Sequence, residues 1–234
     1  MKDVIGIVGL GDLGKRLAAQ LASHGFEVVA VEHSPISSLE LELAVDPNLP
    51  VDKHAGSKVE LVANIDDVIQ KSRIIHWALP SSLLSELSSE LPGDRLVILH
   101  DSVMHNSEVA LQARNDADQF SIVHCLVNDA KRVVVANDDH RAFAHFQDIG
   151  LAPQTMTPID HDRLLAHSQG ILASLVNMGV KAELEQAAAD GDLTPSGEEL
   201  YALLKHREIR WTASTMHSIL QNPALKELMI KMNR

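Results

Sequence analysis

An apolar run and an amphipathic one are joined by three glycines at fixed spacing, in Ile5-Gly6-Ile7-Val8-Gly9-Leu10-Gly11-Asp12-Leu13-Gly14. Residues 3 to 8 read as a buried strand and 12 to 24 as an amphipathic helix, so Gly-x-Gly-x-x-Gly closes a strand and opens a helix. Each glycine has a task in that setting: Gly9 permits the tight turn, Gly11 lets the backbone approach a pyrophosphate, and Gly14 lets the helix sit close on the strand. The first-turn amides and the helix dipole then favour an anion. A second strand over 27 to 31 completes a βαβ unit and ends at Glu32, 18 residues after Gly14. A carboxylate there suits the ribose hydroxyls of adenosine and repels the extra phosphate of NADP, so NAD is expected; His33 beside it leaves NADP possible. The expected cofactor contacts on this unit are Gly9, Leu10, Gly11, Asp12, Leu13, Gly14 and Glu32.

Beyond a polar, proline-containing stretch from Ser34 to Ser57, short apolar runs recur at 59–63, 73–79, 95–99, 120–124 and 132–136. Helix-like segments at 65–71, 81–91, 104–114 and 138–149 lie between most of them. This alternation predicts an α/β fold, a doubly wound, mainly parallel Rossmann sheet with helices on both faces. The pattern changes near Pro153. Thr157-Pro158-Ile159-Asp160 is a helix start, with threonine as cap, proline in the first turn and an acid three residues on. A long apolar periodicity follows from about 159 to 189, a second from about 196 to 221, and Pro223 opens a short last helix. We therefore expect a dinucleotide-binding domain over 1–153 and an all-helical substrate and dimerisation domain over 154–234, two domains in a chain long enough for sizeable cores. The two long helices have too much apolar surface to hide alone, which predicts a homodimer through them.

Charge and composition remove several other classes. The formal net charge of -12 repels a phosphate backbone, so no nucleic-acid partner is expected. The longest apolar runs fall short of the roughly 20 residues of a membrane span, and no secretory pattern precedes the first strand, so the expected setting is cytoplasmic. The single cysteine, Cys125, rules out an internal disulfide and fits a reducing compartment. Thirteen histidines raise the question of a metal, but none stands at the helical i, i+4 spacing around a glutamate, and no metal is expected.

At Leu79-Pro80, Asp101-Ser102-Val103, His124 and Asp160-His161-Asp162 the chain resembles the prephenate dehydrogenase family of tyrosine biosynthesis. Ile74-Ile75-His76-Trp77-Ala78-Leu79-Pro80 resembles the family's fourth strand with its terminal V-P or L-P pair. His100-Asp101-Ser102-Val103-Met104 is similar to a shortened D-x-x-S-V-K segment. Val123-His124-Cys125-Leu126-Val127-Asn128 stands where the family has H-P-M-x-G, and His161-Asp162 where it has H-D at the head of the long helix. The stretch from Glu208-Ile209-Arg210 to Gln221-Asn222-Pro223 resembles the last long helix. The resemblance implies a fold related to 6-phosphogluconate dehydrogenase and an oxidative decarboxylation of prephenate or a close relative. It makes His124 the general base, an imidazole being suited to that near neutral pH. Ser102 would orient the histidine or the substrate, or else cap the following helix. Leu79 and Pro80 would border the cofactor.

Three positions depart from the family pattern. Cys125 replaces proline, Met104 replaces lysine, and His217 stands where an arginine grips the substrate carboxylate; Arg210 or Arg207 could serve instead. Two alternatives follow: a dehydrogenase of the same superfamily acting on another small hydroxy acid, or a non-catalytic NAD(P)-binding protein. The first would normally use a lysine followed by an asparagine on the first interdomain helix, whereas here Asn177 precedes Lys181.

Overall fold

A computed structural model describes residues 4–32, 59–87, 91–125, 132–205 and 213–232. The chain divides into two compact units, Met1–Pro158 and Ile159–Arg234. In the first, eight strands form one sheet: β1 (Val4–Val8), β2 (Glu27–Val31), β3 (Val59–Val62), β4 (Ile74–Trp77), β5 (Leu96–His100), β6 (Phe120–Cys125), β7 (Arg132–Ala136) and β8 (Ala152–Met156). Their order is β3-β2-β1-β4-β5-β6-β7-β8. Every pair is parallel except β6 with β7. The first six strands reproduce the doubly wound order, whose winding reverses between β1 and β4 and opens a crevice at the strands' carboxyl ends.

Strand alternation sorts the core into two layers. On one face Ile5, Ile7 and Ile98 pack with α1 (Asp12–Ser23) through Leu17 and Leu21, and with Phe146 and Ile149 from α4 (His140–Asp148) and its end. On the other face Val8, Val29, Ile75, Trp77 and Leu99 pack with α2 (Ile65–Lys71) and α3 (Met104–Leu111). Met104 is fully buried in that second layer. A lysine at this position would bury an unpaired ammonium, so the departure from the family's S-V-K follows from packing.

The structure differs from the sequence reading in three places. The segment expected as a helix over 81–91 is a single 3-10 stretch, Ser81–Glu86. The expected boundary at Pro153 falls inside β8, so the sheet keeps the chain as far as Met156. β8 is an edge strand paired only with β7, and an edge tolerates the proline that made this segment read as a breaker.

The third difference lies in the helical unit. Its first long helix is α5 (Pro158–Leu165), a π turn over Ala166–Gly170 and α6 (Ile171–Asn177), and it stops where Gly179 takes a left-handed φ of 77° before α7 (Val180–Asp190). The second expected long helix is helical over its described residues, as α8 (Pro195–Lys205) and α9 (Ala213–Gln221), and 206–212 lie outside those described. α10 (Pro223–Met232) closes the unit.

Asn222 ties this unit together. It is fully buried, its Nδ2 donates to the Asp162 carbonyl at 2.9 Å, and its Oδ1 accepts from the Ala224 amide at the head of α10. Asn222→Ala removes both bonds and leaves a buried carbonyl bare, which should cost roughly 2–3 kcal/mol in urea unfolding followed by helical circular dichroism.

Candidate functional site

The glycine loop between β1 and α1 lies at the winding reversal. Gly9 has φ 93°, and its amide donates to the Val31 carbonyl at 3.1 Å, which ties the loop to β2. A β-carbon at Gly14 would stand 1.9 Å from the Gly9 carbonyl oxygen, so the first turn of α1 rests directly on the loop. Gly11 differs from both. A β-carbon there would meet no protein atom within 4 Å, and Gly11 is the N-cap of α1 with no side-chain cap bond. The open space above an uncapped helix start fits a pyrophosphate that must approach the backbone.

Leu10 is buried, Leu13 half-buried and Asp12 exposed, in the same loop and first turn. Glu32, half-buried at the end of β2, accepts the Leu10 amide on Oε2 at 2.7 Å. Its carboxylate is thereby fixed beside the loop, where ribose hydroxyls would need an acceptor.

Across the reversal, Leu79 packs over Gly9, whose added β-carbon would lie 2.7 Å from Leu79 Cδ2, while Pro80 is exposed. The Ala78 amide continues the ladder to the Val8 carbonyl at 2.8 Å. The loop after β5 is braced by Asp101. Its Oδ2 accepts from Ser81 at 2.8 Å and Ser107 at 3.1 Å, and its Oδ1 from the Val103 amide at 3.2 Å. Asp101 thus does the work considered for Ser102 as a cap, since Val103 is the N-cap of α3 and Ser102, half-buried, caps nothing there.

His124 is half-buried one residue before the end of β6, opposite Val134 of β7. Cys125 points to the other face and packs into the first core layer, where burial pushes its thiol up to about 12 and keeps it protonated. On that face lies a group no local spacing revealed. His76 of β4, fully buried, places Nδ1 2.8 Å from His100 Nε2 and Nε2 2.9 Å from Nε2 of His145 on α4. His100 Nδ1 in turn lies 3.4 Å from Cys125 Sγ. Burial, then the neighbouring imidazoles, holds His76 far below the ordinary imidazole range. His100 is lowered to about 3 by burial and by His145 and His124, and His145 to about 4 by burial, against a smaller upward pull from Asp148. The three rings are neutral at physiological pH.

The helical unit carries its own candidates. His161 Nδ1 lies 2.8 Å from Asp162 Oδ1, both buried. His217 is exposed on α9, and Arg207 and Arg210 lie outside the described residues. Among the described residues no cluster of three histidine, cysteine or acidic side chains is placed to hold a metal, and no helix is long and apolar enough to cross a membrane.

A strand, a glycine turn, a close-packed helix and an acid at the end of the next strand, set at a winding reversal, define a dinucleotide-binding Rossmann domain. Residues 4–127 match the NAD binding domain of 6-phosphogluconate dehydrogenase, and the chain belongs to that family. It is an NAD-binding protein of this dehydrogenase superfamily. No curated protein matches its sequence.

Solved structures extend the likeness over both units. Prephenate dehydrogenase from A. aeolicus, crystallised with hydroxyphenyl propionate and NAD+, is 16% identical with a TM-score of 0.65, covering 100% of this chain and 87% of its own. Synechocystis arogenate dehydrogenase is 17% identical with a TM-score of 0.59, over 98% and 88%. An imine reductase from Pseudomonas sp. is 17% identical with a TM-score of 0.56, over 88% and 73%. At such identities the likeness speaks for the fold.

The imidazole network makes stability depend on pH. Each ring is neutral when folded but protonates near 6.5 in the unfolded chain, so its contribution is complete above that value and is lost as pH falls toward the folded values. Urea unfolding of the first unit should therefore weaken steeply below pH 6, by up to roughly 4 kcal/mol per pH unit near pH 5 for three protons. A flat profile between pH 7.5 and 5 contradicts neutral burial of the rings.

Proposed function

We propose that the chain oxidises prephenate or a close relative with NAD, with loss of carbon dioxide to give a 4-hydroxyphenylpyruvate. The observation that carries this reading is the half-buried His124 at the carboxyl end of β6, beside the Asp101-braced loop after β5. The NAD-binding domain and the whole-chain likeness to prephenate and arogenate dehydrogenases support it.

When bound, NAD supplies the hydride acceptor. The protein's part is to place the substrate and remove a proton. Neutral His124 accepts the proton of the reacting hydroxyl as hydride leaves the same carbon, and returns it to that oxygen when the electron pair left by the departing carbon dioxide makes the ring a phenolate, a transfer worth roughly 100- to 10,000-fold in rate. Ser102, on the loop held by Asp101, orients the substrate.

Assembly as a homodimer through the helical unit, in the cytoplasm, belongs to the same proposal. Ile159, Leu164, Met178, Ile230 and Met232 are more than half exposed there, and none of α7 is fully buried.

Reduction of NAD with prephenate tests the activity directly. His124→Asn should lower kcat by roughly two to four orders of magnitude with NAD affinity nearly intact, as for loss of a general base. Unchanged turnover in that variant removes His124 from the mechanism. Glu32→Ala should weaken NAD by roughly 10- to 100-fold, the loss of a bond to a charged acceptor, and NADP far less. Tighter NADP than NAD in the unaltered protein contradicts the assignment of Glu32.

A further inference from the structure

The sheet reverses direction once, between β6 and β7, so β7 presents its first residue at the edge where β1 to β6 present their last. That residue is Arg132, exposed at the head of a strand whose other four residues are buried. Register places its side chain. His124 pairs with Val134 and Cys125 with Val133, and residues directly opposite share a face. Val134 lies in the second core layer with Ile122, two residues before His124, and alternation carries Arg132 to that same face. His124 and Arg132 are therefore diagonal neighbours, with α-carbons about 7–8 Å apart, a span within reach of a long side chain. The register partner of Arg132 on β8 is Ala152, small and uncharged.

The proposed substrate needs a cation at this place. Prephenate is a dianion, and the chain's net charge of -12 opposes its approach. Both its carboxylates hang from the ring carbon opposite the hydroxyl. Along the carboxyl edge the strands follow the order β2, β1, β4, β5, β6, β7, and with them come Glu32, the glycine loop, Leu79, Asp101, His124 and Arg132. A dinucleotide that starts at Glu32 and crosses the glycine loop approaches His124 from the β5 side. A substrate offering its hydroxyl to His124 and its hydride to that cofactor turns the far end of its ring the other way, toward β7. Other arginines of the first unit are committed elsewhere. Arg73 and Arg95 stand just before β4 and β5 and Arg141 follows β7, so these three belong to the amino edge, where they bond Asp94, the Ile69 carbonyl and Asp139. Arg114 is held by Asp116.

We propose that Arg132 binds the side-chain carboxylate of prephenate, the one that the product keeps. This rests on the reading of His124 as the base for that substrate. The choice between the two carboxylates follows from the chemistry. The bond to the ring carboxylate breaks with its electron pair staying on the ring, and the group leaves as neutral carbon dioxide. A guanidinium on that group would hold the ground state more tightly than the transition state and slow the step. The side-chain carboxylate keeps its charge throughout. A guanidinium there binds substrate and transition state alike, so Arg132 lowers KM and leaves kcat nearly unchanged.

Two measurements on the full chain test the assignment. With prephenate and NAD, Arg132→Gln should raise KM roughly 10- to 100-fold, the loss of a bond to a charged group, with kcat changed less than about threefold and NAD affinity retained. Arg132→Lys keeps the charge without the paired donors and should recover part of the loss. An unchanged KM in Arg132→Gln overturns the assignment, and so does a loss confined to kcat.

The second measurement needs no turnover. Equilibrium binding of 4-hydroxyphenylpyruvate to the protein with NADH should weaken in Arg132→Gln as far as the KM for prephenate rises. The neutral 4-hydroxyphenylacetone, the same ring and ketone without the carboxylate, should bind both proteins equally. Affinity for 4-hydroxyphenylpyruvate that survives in Arg132→Gln overturns the proposal while leaving the substrate reading in place. If the unaltered protein neither oxidises prephenate nor binds 4-hydroxyphenylpyruvate, the substrate reading itself fails, and the assignment of Arg132 with it.

Discussion

The carbonyl oxygen of Gly9 occupies the place where any residue other than glycine at position 14 would put its β-carbon. That contact sets how closely α1 approaches β1, and much else in the first unit is arranged around it. Leu79 can lie over Gly9 because that residue also lacks a side chain, so the loops on the two sides of the winding reversal meet. The Leu10 amide is left facing Glu32, and the helix start at Gly11 stays open. A phosphate cradle, a ribose acceptor and the crevice between them thus follow from one close approach of backbone to backbone.

The edge of this crevice is shaped by packing as much as by chemistry. Asp101 gathers two serine hydroxyls and a backbone amide, which uses the carboxylate to hold the loop after β5 against α3 and the 3-10 turn. Met104 follows as an apolar plug. The resemblance placed a lysine's chemistry at that point, and this chain has made it part of the core.

What could be read from the sequence was what repeats locally. The glycine turn, its flanking strand and helix, Glu32 and the alternation of strands and helices are all written in windows of a few residues, and the structure shows them there. β8 carried no such signal, because Ala152-Pro153-Gln154-Thr155-Met156 neither alternates nor avoids proline and is a strand only because β7 offers it an edge. The imidazole row was hidden for a related reason. Its closest contacts join residues 24 and 69 positions apart, and a search for histidines at helical spacing passes over them. A cue was present in His76, a polar residue inside the apolar run Ile74-Ile75-His76-Trp77. Nothing in the sequence named its partners.

Trp77 closes the same strand, fully buried, with its indole N–H directed at the Pro80 carbonyl at 3.4 Å. It is one of only two tryptophans in the chain. Of the residues it spans, Ala78 and Leu79 lie against the glycine loop, and indole emission shifts colour with the polarity and hydrogen bonding around the ring. The protein therefore carries a native optical reporter at the seam between β1 and β4, sensitive to any rearrangement of the loop that Leu79 holds over Gly9.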